Sequence, residues 1–121
     1  LGWGIPTAAS ALEAAAVLPA EVDLVVSGGV RTPVDAAKCF AIGAKAIGIA
    51  APILRLTEQQ GVTAAVAWVR DYLATIRKIT MMQGKTTITE LSARPLVIAG
   101  RTAQWLTARG IPVERYGRRP G

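Results

Sequence analysis

The chain has 121 residues, which is enough for one domain and too few for two. Hydrophobic residues make up 51% of it and the mean hydropathy is +0.36, yet no apolar run reaches the length of a membrane span. We therefore expect its apolar surface to meet further protein, and we interpret the chain as a piece of a larger protein. Because it contains no His and no Asn, the sequence excludes a histidine base, His-ligated metals and Ser–His or Cys–His nucleophile pairs.

The net charge of +6 comes from 14 basic and 8 acidic residues, and the end of the chain is especially basic. Five arginines lie between positions 101 and 121, namely Arg101, Arg109, Arg115, Arg118 and Arg119. Without interleaved aromatic residues or a nucleic-acid-binding motif, they predict a solvated tail and no nucleic-acid partner. We divide the chain into a domain at 1–110 and a basic tail at 111–121, where we expect little order.

The first half of the chain alternates predicted helices and strands. An Ala-rich helix is predicted from about Pro6 to Leu18, and Pro19 stops it. The apolar, β-branched run within Val22–Ser27 predicts a buried parallel strand. Gly28 and Gly29 then predict a sharp turn with no Cβ between the main chain and a ligand.

Several signals at the next helix start agree with one another. A hydroxyl N-cap at Thr32, a proline at the first helical position and Asp35 at the third predict a helix over Pro33–Ile42. Amide N–H groups left unpaired at this start, together with the helix dipole, would suit a phosphate, and Arg31 could add a charge-assisted contact. The alternative is an ordinary strand-to-helix turn with a surface arginine.

A second apolar strand is predicted over Ala46–Ala50. Gly48 in its interior is typical of a strand that a ligand or another backbone approaches closely. Ala51 and Pro52 then begin another helix. This alternation predicts an α/β fold with a parallel sheet, but two parallel strands cannot bury their own faces.

The second half is predicted to be mainly helical. The elements are a helix from about Val62 to Met82, a short helix from Thr87 to Ser92, an extended segment from Pro95 to Ile98 and a last helix from Arg101 to Arg109. Trp68 and Tyr72, one turn apart, are interpreted as packing residues. The lone Cys39 is also interpreted as a packing residue, and a single cysteine permits no internal disulfide and fits a cytoplasmic location.

The turns after the two strands lie at the same edge of the predicted sheet. In a parallel sheet, ligands bind at the carboxyl ends of the strands, and in a (β/α)8 barrel the loops after the last two strands frequently hold a phosphate. Together the two turns therefore favour a phosphate site over two ordinary turns.

At these residues the sequence resembles the FMN-dependent type 2 isopentenyl-diphosphate isomerases. The shared segments are Trp3-Gly4-Ile5-Pro6-Thr7, Ser27-Gly28-Gly29-Val30-Arg31, Asp35-Ala36-Ala37-Lys38, Gly48-Ile49-Ala50, Met81-Met82-x-Gly84, Thr87-Ile88-x-Glu90-Leu91, Pro95-Leu96-Val97-Ile98, Trp105-Leu106 and Arg109-Gly110. The resemblance implies the C-terminal part of a (β/α)8 TIM barrel, with the last two parallel strands, their helices and a short helical tail.

The resemblance also implies which residues bind the cofactor. The FMN phosphate would be held by Gly29, Val30 and Arg31 from one loop and by Ala50 and Ala51 from the other, with Gly28 shaping the turn. Trp3 would lie near the flavin.

The implied reaction converts isopentenyl diphosphate to dimethylallyl diphosphate in isoprenoid biosynthesis. It uses reduced FMN, NADPH to reduce the flavin and Mg²⁺ on the diphosphate, in a homo-oligomer. The resemblance places the catalytic groups and the Mg²⁺ ligands outside this sequence, so no catalytic or metal-binding residue is assigned. The isolated chain is expected to be inactive.

The sequence also permits two other interpretations. The Ser-Gly-Gly-x-Arg and Gly-x-Ala segments also occur in FMN-dependent α-hydroxy-acid oxidases, so the chain could be part of such a barrel. It could also be an inactive flavin-binding or phosphate-binding fragment.

Overall fold

The computed structural model of the chain describes residues 4–121. In chain order its elements are α1 (Thr7–Val17), β1 (Val25–Ser27), α2 (Pro33–Ile42), β2 (Ala46–Gly48), α3 (Ala51–Gln60), α4 (Val62–Met82), a 3₁₀ helix (Ile88–Ala93), α5 (Gly100–Ala108) and α6 (Glu114–Gly117). The order of helices and strands confirms the predicted α/β class. Within residues 4–121, no helix is both long and apolar enough to cross a membrane.

The two strands pair in parallel, as predicted. Ser27 lies opposite Gly48, at the carboxyl ends of both strands. The first strand is shorter than predicted because the Val22 amide donates to the carbonyl oxygen of Pro19 at 3.1 Å, which closes a turn at the predicted strand start. Val25 at the centre of the predicted strand remains 62% exposed, so the two strands do not bury their own faces.

The predicted bounds of α2 and α4 are confirmed. The capping box of α2 is present, with Thr32 and Asp35 as its two members, and Gly43 ends the helix at φ 120°. Gly61, at φ 87°, separates α3 from α4 and lets the chain turn between two consecutive helices. The capping box at Thr87 begins a 3₁₀ helix and not an α-helix.

The main hydrophobic core joins the sheet to α2, α4 and the 3₁₀ helix. Its buried residues include Val26, Ala36, Phe40, Ile76 and Leu91. Cys39 and Trp68 pack against this core, which confirms a packing role for both. Burial raises the pKa of the Cys39 thiol, so the thiol stays protonated and unreactive.

A second cluster holds the end of the chain. Leu12 and Leu106 are the fully buried members, and Tyr116 is 2% exposed beside them. Arg119 donates from Nη1 to the carbonyl oxygen of Ala41 at 2.6 Å, and its guanidinium lies 4.6 Å from the centre of the Tyr116 ring. The structure here differs from the expectation of little order after Pro112, because the tail buries an aromatic ring and satisfies a carbonyl at the end of α2.

Candidate functional site

A cleft of about 540 Å³ opens at the carboxyl ends of the two strands. Its walls come from the turn after β1, the turn after β2, the start of α3 and one side chain of α4. All six residues predicted to bind the cofactor line it: Gly28, Gly29, Val30, Arg31, Ala50 and Ala51. The two turns are therefore parts of one site.

The glycine turn after β1 has the backbone shape that the sequence predicts. Gly28 and Gly29 have φ angles of +93° and +71°, in the left-handed region that favours glycine. The Thr7 hydroxyl donates to the Gly28 carbonyl oxygen at 2.7 Å. A Cβ at Gly28 would lie 3.4 Å from this hydroxyl oxygen. The start of α1 is thus fixed against the turn that forms one wall of the cleft.

The start of α2 does not offer the free amides that the sequence predicts. The Asp35 carboxylate accepts from the amide N–H groups of Thr32 at 2.9 Å and Arg31 at 3.3 Å, and the Asp35 amide donates to the Thr32 hydroxyl. Hydrogen bonds from Thr32, followed by the bond from the Arg31 amide, lower the pKa of Asp35. This part of the prediction is wrong because the capping box uses these donors itself, so Arg31 has only its side chain to offer a ligand.

The start of α3, unlike that of α2, has no capping side chain. Ala50 occupies the N-cap position and no side chain caps the helix. Proline at the second helical position has no N–H, and Ala51 lies at the first. All three residues line the cleft, so the uncapped, positively polarised end of a ten-residue helix faces it.

Two lining residues were not predicted from the sequence. Arg55 comes from the second turn of α3, and Trp68 reaches the cleft from α4. Trp68 also packs on Tyr72, with ring centres 4.9 Å apart, so it belongs both to the core and to the cleft wall. A sequence signal existed for Arg55, which follows the predicted helix start at Pro52 by three residues. For Trp68 no such signal exists, because its role depends on how α4 packs.

The charged side chains that line the cleft are of one sign. Among the described residues that line it, the charged ones are Arg31 and Arg55, and no carboxylate lines it. Positive side chains, an uncapped helix start and glycine backbone favour binding of an anion such as a phosphate.

The close approach predicted at Gly48 is present, but the neighbour is a side chain. A Cβ at position 48 would lie 2.7 Å from Ser27 Oγ on the paired strand. The residues from 4 to 121 contain no group of three or more His, Cys, Asp and Glu side chains that could hold a metal ion. Trp3, predicted to lie near the flavin, is outside the described residues.

Comparisons with known proteins cover most of the chain. The family model described as FMN-dependent dehydrogenase matches residues 4–98. An isopentenyl-diphosphate delta-isomerase from Geobacillus sp. (strain WCH70) is 47% identical over 114 residues, which cover 94% of this chain and 32% of the relative. A protein of the same name from Methanopyrus kandleri is 37% identical over 112 residues, covering 93% of this chain and 31% of the relative.

The chain spans about a third of the length of these curated relatives. The family model, in contrast, matches most of the chain and contains both turns that form the cleft. By this match, the chain belongs to the FMN-dependent dehydrogenase family.

Proposed function

We propose that this chain supplies the FMN-phosphate-binding loops of an enzyme that isomerises isopentenyl diphosphate to dimethylallyl diphosphate. The observation that carries the proposal is the meeting of two turns, from neighbouring parallel strands, at one cleft whose charged lining residues are both arginines. The isomerase relatives, which match over nine tenths of this chain, support the choice of reaction.

The residues of the cleft fit a phosphate group. In this proposal Gly28 shapes the turn, Gly29 and Val30 offer backbone close to the phosphate, and Arg31 offers its guanidinium. Ala50 and Ala51 place the uncapped start of α3 on the other side. A bound phosphate would thereby accept the amide hydrogen bonds that a capping side chain accepts at other helix starts.

The proposal places β1 and β2 as the last two strands of a (β/α)8 barrel. Phosphate sites in such barrels frequently lie in the loops after these strands. The exposed Val25 side chain on β1 is consistent with further barrel elements packing on this face of the sheet. The flavin ring contacts, the Mg²⁺ ligands and the substrate contacts would then come from the other barrel strands.

In the proposed enzyme, reduced FMN supplies the acid–base chemistry that moves the double bond. The residues of this chain would hold the cofactor by its phosphate. NADPH as the flavin reductant, Mg²⁺ on the substrate diphosphate, a homo-oligomeric state and a cytoplasmic location are parts of the same proposal. The lone, unreactive Cys39 fits a reducing compartment.

The test uses the full-length protein, by which we mean the product of the longest open reading frame that contains this sequence. It is titrated with FMN while flavin fluorescence is followed, and is then assayed with isopentenyl diphosphate, NADPH and Mg²⁺. We expect saturable FMN binding and formation of dimethylallyl diphosphate. Absence of FMN binding would contradict the whole proposal, and binding without turnover would contradict the isomerase reaction alone.

Two further experiments compare the chain alone with the same chain joined to the rest of a relative. The 121-residue chain alone is expected to show no isomerase turnover, because the proposal assigns the Mg²⁺ ligands and the flavin-ring contacts to other barrel strands. A chimera joins this chain to the part of the Geobacillus relative that lies outside the match. If the chimera turns over isopentenyl diphosphate and loses this activity when residues that line the cleft are substituted, these loops serve an isomerase.

A second candidate is an oxidase of α-hydroxy acids, and the dehydrogenase description of the matching family favours it. The cleft would hold the FMN phosphate in the same way, so FMN binding does not separate the two enzymes. Oxidation of a 2-hydroxy acid such as lactate by the full-length protein, without isomerase activity, would favour this candidate. A cleft that binds FMN in a protein with neither activity would indicate an inactive flavin-binding protein.

A further inference from the structure

We propose that Arg55 is a second cation for the cofactor phosphate and that it makes the site select FMN over riboflavin. The proposal rests on the proposed function, since it concerns the same cleft and cofactor. It adds a residue that the sequence motifs of the two turns do not contain.

The position of Arg55 on its helix supports the role. Ala51 and Arg55 are four residues apart on α3, and residues at this spacing lie on one helix face. Pro52, three residues before Arg55, lies on the same face, and all three residues line the cleft. The face that begins at the uncapped helix start therefore carries an arginine one turn further along.

Charge balance gives a reason for a second cation. A phosphate monoester carries a charge of about −1.5 to −2 at neutral pH, so a single arginine leaves it partly unneutralised. Among residues 4–121, the one ion pair is between Arg109 and Glu13, so the guanidinium groups of Arg31 and Arg55 form no ion pair with a carboxylate. Both guanidinium groups are exposed and free to turn toward a bound anion.

Riboflavin provides the decisive probe because it has the flavin ring and ribityl chain of FMN without the phosphate. A residue that binds the phosphate affects FMN affinity and leaves riboflavin affinity unchanged. A residue that only shapes the cleft affects both. Trp68, in the cleft wall, gives a second optical signal through the quenching of its emission by bound flavin.

The experiment compares Arg55→Ala with the wild-type full-length protein in titrations with FMN and with riboflavin. We expect FMN affinity to fall about tenfold, as loss of one charge-assisted hydrogen bond predicts, and riboflavin affinity to stay within about twofold. Arg55→Lys should retain part of the FMN preference because it keeps the charge. Arg70→Ala, an exposed arginine of α4 outside the cleft, is the matched control and should match the wild type.

Each outcome supports or contradicts the role of Arg55 or the proposed function. Wild-type protein that binds FMN, with an Arg55→Ala variant of unchanged FMN-to-riboflavin preference, would overturn the role of Arg55 and leave the proposed function standing. Equal losses for both flavins would also overturn it, by showing a structural effect. Wild-type protein that binds no FMN would refute the proposed function and this inference with it. If Arg55→Ala lost its near-UV circular dichroism, Arg55→Gln would take its place.

Discussion

The Tyr72 hydroxyl donates a hydrogen bond of 2.7 Å to the carbonyl oxygen of Thr32, across 40 residues of sequence. The bond ties α4 to the N-cap of α2, directly behind the glycine turn. The same carbonyl accepts from the Ala36 amide at 3.1 Å, so it serves both the helix and its neighbour. Because Tyr72 also packs on Trp68, a series of contacts runs from the cleft wall to the start of α2.

Tyr72→Phe removes this hydrogen bond and keeps the packed ring. We expect the free energy of unfolding to fall by about 1 kcal/mol, since the Thr32 carbonyl retains its helical partner. Urea unfolding of the full-length protein measures the change. Tyr116→Phe is the control, because the Tyr116 hydroxyl accepts only from the exposed Arg115, which can turn to water, and a smaller change is expected. An equal change in both variants would argue against a special role for the bond to Thr32.

Arg31→Ala should weaken FMN binding by about tenfold or more, because a charge-assisted contact to the phosphate is lost. The backbone amide at position 31 still donates to Asp35 in the variant, so the turn should keep its shape. Fluorescence titration of the full-length protein gives the dissociation constant, and circular dichroism checks the fold. Unchanged FMN affinity would remove Arg31 from the proposed site.

Gly48→Ala should strain the pairing of the two strands. The new Cβ would lie 2.7 Å from Ser27 Oγ, closer than real Cβ contacts, and 3.0 Å from Ser27 Cβ, which is a tight contact. We expect a loss of about 1 to 3 kcal/mol in the free energy of unfolding, typical of overpacking. The change should be smaller in a Ser27→Gly background, where both opposing atoms are absent.

The control for this variant is Gly117→Ala, since a Cβ at position 117 meets nothing within 4 Å. It should leave stability close to that of the wild type. A Gly48→Ala variant as stable as this control would show that the strands can shift to admit the methyl group.

The hydrogen bonds of Glu90 lead us to expect that the folded protein loses stability in acid. Its carboxylate accepts from the Thr87 amide at 2.8 Å, the Thr86 amide at 3.0 Å and both hydroxyls, and these bonds lower its pKa from 4.5 to about 2. A pKa lower in the folded than in the unfolded state adds stability above pH 4.5 and loses it as the pH falls toward 2. The exposed position of Glu90 keeps the effect modest.

The test compares urea midpoints of wild-type protein and Glu90→Gln at pH 6 and at pH 2.5. The wild type should be the more stable at pH 6, and the difference should shrink at pH 2.5, where its carboxylate is largely protonated in the unfolded chain and begins to protonate in the folded one. A difference that is the same at both pH values would show that the carboxylate charge is not involved.

Local signals in the sequence predicted the elements that depend on neighbouring residues. Thr32 and Asp35 fixed the start of α2 correctly because a capping box needs only four consecutive positions. The same local bonds made one part of the phosphate prediction wrong. The Asp35 carboxylate accepts hydrogen bonds from two amides that were predicted to be free for a phosphate. The glycine turns identified the cleft because their backbone shape is a local property.

Features that depend on distant contacts were not predictable. Trp68 reaches the cleft through the packing of α4, whereas Arg55 lies one turn into a predicted helix and had a local signal. Tyr116 lies among basic residues, and composition there predicts a solvated tail. Its burial depends on Leu106, 10 residues away, and on Leu12, 104 residues away, so no local window contains the whole pattern.

The second cluster also bears on the order in which the chain folds. Trp105 donates to Glu13 at 2.9 Å across 92 residues, and Arg119 reaches Ala41 across 78, so these contacts close long loops. The core between α2, α4 and the 3₁₀ helix closes shorter ones. Loop-closure entropy grows with separation, and non-local contacts slow folding. We therefore expect the core between α2, α4 and the 3₁₀ helix to form first. The end of the chain would then pack against it last.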